Sequence, residues 1–230
     1  MSLVAGHGPL SSQRAGRLSP PVDGSMVLVE PHPRRVRAVR GDDVVLDTER
    51  CLLVHREGHP LSYAFPAELA GDLPAAPVPE APGYVTVPWT AADAWFEEGR
   101  RLVHYPPNPY HRVDCRSTKR RLCVTVGGET LVDTDETVIV FETALAPRLY
   151  VDPAHVRTDL LRATDTSSYC NYKGVATYWA AVLGETVVPD VAWSYAEPLP
   201  ETEPIRGFLS FDGVGLSVSA ELPAADQTFR

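Results

Sequence analysis

The chain lacks most of the signals that assign a chemistry at sight. Its four cysteines, Cys51, Cys115, Cys123 and Cys170, form no C-x-x-C pair, so the usual spacing of a structural zinc site is missing. There is no Gly-rich phosphate loop of the Walker type, no H-E-x-x-H pair and no nucleophile elbow. No apolar run approaches the roughly 18 residues needed to cross a bilayer, and MSLVAGHGPLSSQRAGRL holds no apolar stretch of the kind an export signal needs. The expectation is a cytoplasmic protein with reduced thiols, no membrane partner, no metal and no cofactor. Positive charge is also scarce: 21 Lys and Arg against 30 Asp and Glu leave a net charge of −9. That balance argues against a nucleic-acid partner, whose affinity rests on clustered cations releasing counterions. The one basic run, RSTKRR at 116–121, is broken by Ser117 and Thr118.

What is present points to strands. The 22 prolines against two methionines imply many turns and few long helices. A repeat then organises the chain. RRVRAVRGDDVVLDTERCLLV from Arg34 lies over RRLCVTVGGETLVDTDETVIV from Arg120, and the offset of 86 holds through Thr48 and Thr134. Val124 and Val126 alternate with polar neighbours, Gly127-Gly128 suits a tight hairpin, and 138–141 continues the apolar strand pattern. Asp152-Pro153 reads as an N-cap followed by proline, opening a short helical segment over 154–161.

Beyond that segment the two copies differ in length. Gly83 aligns with Gly207, so the first half lacks some 37 residues that the second half retains. They include Cys170, Lys173, Trp179 and Trp193. The predicted organisation is an N-terminal extension at 1–33, a truncated first β-domain at 34–114, a linker at 115–119, a complete second β-domain at 120–222 and a tail at 223–230. The halves are expected to pair as an intramolecular pseudo-dimer, with the oligomeric state left open.

VFET, RLY, DLL, CNYKGVATYW and AWSYAEPLPE, in that order and spacing, resemble the domain of unknown function 427 family, also labelled nucleotidyltransferase-like. RRVRAVRGDDVV and DAWFEEGRRLVHYPPNPYHRVD resemble the first copy of its two-domain members. The resemblance implies an all-β protein of two tandem small β-tent domains, the first truncated, with few short helices. Zinc knuckles found in relatives of that fold are missing here. Cys170-Asn171-Tyr172 stands where family members usually carry Cys-Pro-Tyr or Cys-Pro-Trp, and Arg56 replaces a glutamate after His55.

Chemistry-bearing residues concentrate in the extra segment and beside it. Cys170 and Lys173 are three apart, and a turn ending at Gly174 can bring ammonium to thiol and favour thiolate, the nucleophilic form. The competing reading is a small buried hydrophobe beside a solvated lysine. Glu142 ends an apolar strand and is either a general base, a partner for Lys173, or a plain strand end. Arg148 either clamps an anion or pairs with Glu142 or Asp152. Tyr178, Trp179, Trp193 and Tyr195 read first as core, and Tyr150, Tyr172, Tyr178, Trp193 and Tyr195 supply candidate pocket walls. Asp133-Thr134-Asp135 has the spacing of a metal-binding acidic pair for nucleotidyl transfer. It equally suits a turn, which Asp47-Thr48-Glu49 in the other half favours.

These residues predict an enzyme of small-molecule metabolism whose second domain holds the only complete pocket. Cys170, Lys173 and Glu142 are its catalytic candidates, and the substrate is expected to be anionic or carbonyl-bearing. A non-catalytic small-molecule- or partner-binding module is the alternative, with nucleotidyl transfer as a third reading.

Overall fold

The computed structural model describes residues 3–14, 16–22 and 24–223, so most of the tail read at 223–230 lies outside the described residues. The chain divides into two compact units between His111 and Arg112. It is all-β: among the described residues the helical elements are short 3-10 turns, and no helix is long and apolar enough to cross a membrane.

In the first unit, β1 (Val27–His32), β2 (Val36–Arg40), β3 (Asp43–Thr48), β4 (Cys51–Arg56) and β5 (Ser62–Pro66) are followed by β6 (Ala76–Pro77), β7 (Tyr84–Thr86), β8 (Ala94–Glu97) and β9 (Arg100–Leu102). They form one antiparallel sheet in the order β1-β4-β5-β7-β6 and another in the order β3-β2-β8-β9. The core takes alternate residues from both sheets, including Val36, Ala38, Leu53, Phe65 and Trp95, as the two-residue period of a strand requires.

The second unit repeats this plan. β10 (Val113–Thr118), β11 (Leu122–Val126), β12 (Glu129–Thr134), β13 (Thr137–Glu142) and β14 (Arg148–Val151) each start 86 residues after their counterparts β1 to β5. The first hairpin of both units carries a bulge at the same place, after Ala38 and after Val124. Leu122, Val124, Ile139 and Val151 are buried at the positions of Val36, Ala38, Leu53 and Phe65. Burial of each such aliphatic side chain contributes about 1.5–3 kcal/mol. Even the surface repeats: Arg35 grips Asp47 through two hydrogen bonds, and Arg121 grips Asp133 in the same way.

Two boundaries differ from the reading of the sequence. The repeat begins before Arg34, because β1 is the counterpart of β10 and belongs to the first sheet. Residues 115–118, read as linker, are strand residues of β10 paired with β13. Their polarity misleads because β10 is an edge strand whose outer face meets water. The segment after Asp152, read as a short helix or helical turn, forms two 3-10 turns, Pro153–His155 and Thr158–Leu160. Asp152 does cap the first of them, its Oδ1 accepting from the Ala154 N–H at 2.8 Å.

The units diverge after β5 and β14. In the second unit a long meander, β15 (Leu161–Cys170), β16 (Gly174–Leu183) and β17 (Thr186–Ser194), precedes β18 (Leu209–Phe211) and β19 (Leu216–Ala220). The large sheet therefore runs β10-β13-β14-β18-β17-β16-β15, and β12-β11-β19 forms the small one. In the first unit the two-residue β6 is, among the described residues, the one strand beyond β7, where β17, β16 and β15 lie beyond β18. Pro74, Pro77, Pro79 and Pro82 lack the N–H that a longer ladder would need.

Candidate functional site

In the second unit, residues of β13, β14, the meander and the turn after β18 line a cleft of ≈ 470 Å³. Strand alternation decides which side chains face it. Val140 and Glu142 come from β13, Arg148 and Tyr150 from β14, Tyr178 from β16 and Trp193 from β17. Tyr195 and Lys173 complete the wall.

Lys173 arrives through a specific backbone device. Residues 171–173 form the turn that joins β15 to β16, and Cys170 faces Gly174 across it. Gly174 adopts φ +99°, and a Cβ there would stand 3.2 Å from the Glu197 carbonyl oxygen. Leu199 donates its N–H to the Lys173 carbonyl at 3.1 Å, holding the turn down. The Lys173 ammonium then donates to Glu142 Oε2, with side-chain exposures of only 10% and 11%.

The other charges of the cleft are also matched. Arg148 donates to Asp212 Oδ2 at 2.9 Å and lies over the Trp193 ring, 4.9 Å from its centroid. Trp193 donates its indole N–H to the Tyr150 hydroxyl at 3.2 Å. Asp190 has φ +49°, an uncommon backbone for a residue with a side chain. Its carboxylate accepts from the Thr164 hydroxyl at 2.8 Å and the Thr166 hydroxyl at 2.9 Å, joining the bulges of β15–β16 and β16–β17. Burial pushes the Tyr150 phenol well above its ordinary range, partly opposed by the Trp193 hydrogen bond. Burial does the same to Tyr195, helped by the nearby Tyr150.

Seven of the nine residues singled out in the sequence line this cleft: Glu142, Lys173, Arg148, Tyr150, Tyr178, Trp193 and Tyr195. Cys170 and Tyr172 do not. Both pack against the hydrophobic cluster of Val113, Val138, Tyr150 and Ile205, and the Lys173 ammonium goes to Glu142 instead of the Cys170 thiol. Lys173 favours ionisation of the Cys115 thiol on β10, although burial and Asp114 together still push that thiol upward. Arg148 pairs with neither Glu142 nor Asp152 but with Asp212, a residue the sequence did not single out. Asp190 was missed as well. The Asp212-Gly213 dipeptide is a legible turn signal, but nothing local places it beside Arg148.

Asp133 is engaged by Arg121, and the Thr134 hydroxyl accepts from the Glu136 N–H at 3.1 Å; the motif is the end of β12 and the bend that follows it at Asp135. Among the described residues, no group of three or more His, Cys, Asp or Glu side chains is placed to hold a metal ion. His55 and His59 are four apart, yet one is buried on a strand and the other lies beyond it in an exposed turn. Nor is the second unit's cleft the only pocket. The first unit has one of ≈ 640 Å³, where the sequence predicted none.

Residues 114–221, nearly all of the second unit, match the model of the family described as Domain of unknown function (DUF427). The resemblance carried by CNYKGVATYW and its neighbours is thereby shown for this part of the chain. No curated protein matches the chain.

Proposed function

We propose that the second unit acts on a small carbonyl-bearing molecule by proton transfer at the Glu142–Lys173 pair. One observation carries this reading: an ion pair about nine-tenths buried forms the wall of an open cleft lined with aromatic side chains. A buried ion pair seldom stabilises a fold more than hydrophobic side chains of equal volume, because desolvation offsets the attraction. Its presence beside a cleft is better accounted for by chemistry. In the proposed step, the Lys173 ammonium donates a hydrogen bond to the substrate carbonyl oxygen. Glu142 takes the proton from the adjacent carbon, and the electron pair left behind moves onto the oxygen that Lys173 stabilises. Arg148, backed by Trp193, orients an anionic end of the substrate.

Proton NMR of α-hydrogen exchange into deuterated water, over a panel of carbonyl acids and the full chain, tests the proposal. Exchange is expected for compounds that shift the Trp193 indole resonance, and Glu142→Gln is expected to slow it by about 10²–10⁴-fold without loss of binding. Equal exchange by wild type and Glu142→Gln overturns it. A second reading, a non-catalytic binding module, is favoured by the internal pairing of polar groups: Lys173 with Glu142 and Arg148 with Asp212 as ion pairs, Asp190 through hydrogen bonds from two threonine hydroxyls. Compounds that bind at Trp193 with no exchange support that reading.

A further inference from the structure

The duplication places the two clefts at equivalent points of the two units. Arg56, His59, Pro60 and Ser62 line the first cleft, and each lies 86 residues before Glu142, Leu145, Ala146 and Arg148, which line the second. The charge is reversed between them. In the second cleft the carboxylates of Glu142, Asp190 and Asp212 outnumber the cations of Arg148 and Lys173, whereas the first has Arg56, His59 and His104 and no acidic lining residue. In a chain of net charge −9, a cleft of that lining is not explained by composition.

Its walls are flat and apolar. Trp89 stacks on Trp95 with ring centroids 5.3 Å apart and an interplanar angle of 20°, and Trp95 is fixed in turn by donating its indole N–H to the Trp89 carbonyl at 2.8 Å. Tyr63 is pinned from behind: its hydroxyl donates to the buried Glu97 carboxylate at 2.9 Å, which also receives Arg34 at 2.6 Å and bonds His32 at 2.5 Å. Prolines, including Pro60, Pro77 and Pro88, add rigid apolar surface. Such walls lose little side-chain freedom when a ring is laid against them.

Arg56 shows what polar end this cleft accepts. Its guanidinium forks onto Glu80, Nη1 to Oε1 at 3.0 Å and Nη2 to Oε2 at 2.6 Å. Glu80 does not line the cleft, and its side chain is 35% exposed. The pair is thus a solvent-accessible carboxylate resting on an arginine fork, an arrangement that a ligand carboxylate can replace one for one.

From the shared position, the reversed charge and the stacked walls, we infer that the first unit has its own ligand site, selective for a flat aromatic carboxylate. The ring lies along the Trp89 and Tyr63 wall and the carboxylate displaces Glu80 from Arg56, with His59 and His104 beside it. The site is independent of any chemistry in the second unit.

Calorimetric titration of the full chain with 1-naphthoate, and with neutral naphthalene-1-carboxamide as the control, tests this. Naphthoate is expected to bind at least tenfold more tightly than the carboxamide and to quench tryptophan fluorescence. Glu80→Gln is expected to tighten naphthoate binding several-fold by removing the competing carboxylate, and Arg56→Gln to weaken it at least tenfold. Ala76→Phe, which fills the cleft from the exposed edge strand β6, is expected to abolish binding, and Lys173→Met to leave it unchanged. Equal affinity for acid and amide, weaker binding by Glu80→Gln, or no binding at millimolar naphthoate overturns the inference. A circular-dichroism melt of each variant separates loss of the site from loss of the fold.

Discussion

Lys173, in the turn between β15 and β16, forms an ion pair with Glu142 at the end of β13, and both side chains are nearly excluded from solvent. The two residues belong to different parts of the duplicated plan. Glu142 occupies a position that the first unit fills with Arg56, and Lys173 lies in the segment that the first unit lacks. The pair therefore exists only where the meander is present. This asymmetry makes it testable apart from the rest of the fold.

Removing one partner leaves a buried charge uncompensated. Lys173→Met and Glu142→Leu are each expected to destabilise the second unit by about 3–5 kcal/mol. The double variant is expected to recover most of that loss, because two apolar groups replace two charges. Urea unfolding of the four proteins in a double-mutant cycle measures it. Additive losses in the double variant would contradict the burial argued above.

Gly174 and Gly128 separate two costs of a Cβ. Both have positive φ, +99° and +90°, but a Cβ on Gly128 meets nothing within 4 Å, while one on Gly174 meets the Glu197 carbonyl oxygen at 3.2 Å. Gly128→Ala is expected to cost about 1 kcal/mol from backbone strain alone. Gly174→Ala is expected to cost more and to weaken any ligand that depends on Lys173. Chemical denaturation of both variants, with ligand titration alongside, provides the comparison.

His55 links the first unit to pH. It is fully buried, its Nδ1 accepts from the Leu3 N–H at 3.0 Å, and its Nε2 faces Glu30 at 2.8 Å. Burial lowers its affinity for a proton below the ordinary value of 6.5, with Glu30 opposing. Because the unfolded chain binds that proton more readily, the contribution is fully present above about pH 6.5 and declines as pH falls through the lower folded value. Protonated Nδ1 cannot accept from Leu3. Hydrogen exchange is expected to show the Leu3 amide losing protection on acidification in the wild type, and His55→Gln is expected to flatten the dependence of stability on pH in that window.

The cysteines are expected to separate by environment instead of by catalytic role. Cys51 is buried, and burial together with the Glu97 charge drives its thiol far above the usual range. In native protein it is expected to alkylate with iodoacetamide more slowly than any other cysteine, becoming reactive only on unfolding. Cys170→Ala is expected to leave exchange activity and ligand binding in the second unit within about twofold of wild type, since the side chain does not line the cleft. Loss of activity in that variant would restore the thiol as a reacting group.

The sequence by itself determined the duplication, the all-β class and most of the strands. Alternation of apolar and polar residues is a local, two-residue property, and an offset of 86 preserves it from β1–β5 to β10–β14. It also marked most of the residues of the second cleft, because CNYKG and the tryptophans stand out where one copy has a segment the other lacks. It misread 115–118 as linker, because a solvent-facing edge strand and a polar connection have the same composition.

Which charges meet was decided by the tertiary structure alone. Arg148 and Asp212 are brought together by β18 lying beside β14, and Lys173 meets Glu142 because a glycine-dependent turn folds back toward β13. Cys170 shares its sheet face with Gly174, Ala176 and Tyr178, yet it packs into the cluster of Val113, Val138, Tyr150 and Ile205 and does not line the cleft. The first unit's cleft was invisible for a related reason. Its walls come from separate loops and strand ends over residues 56–106, and side chains assembled by non-sequential strand pairing leave no spacing in the chain to read.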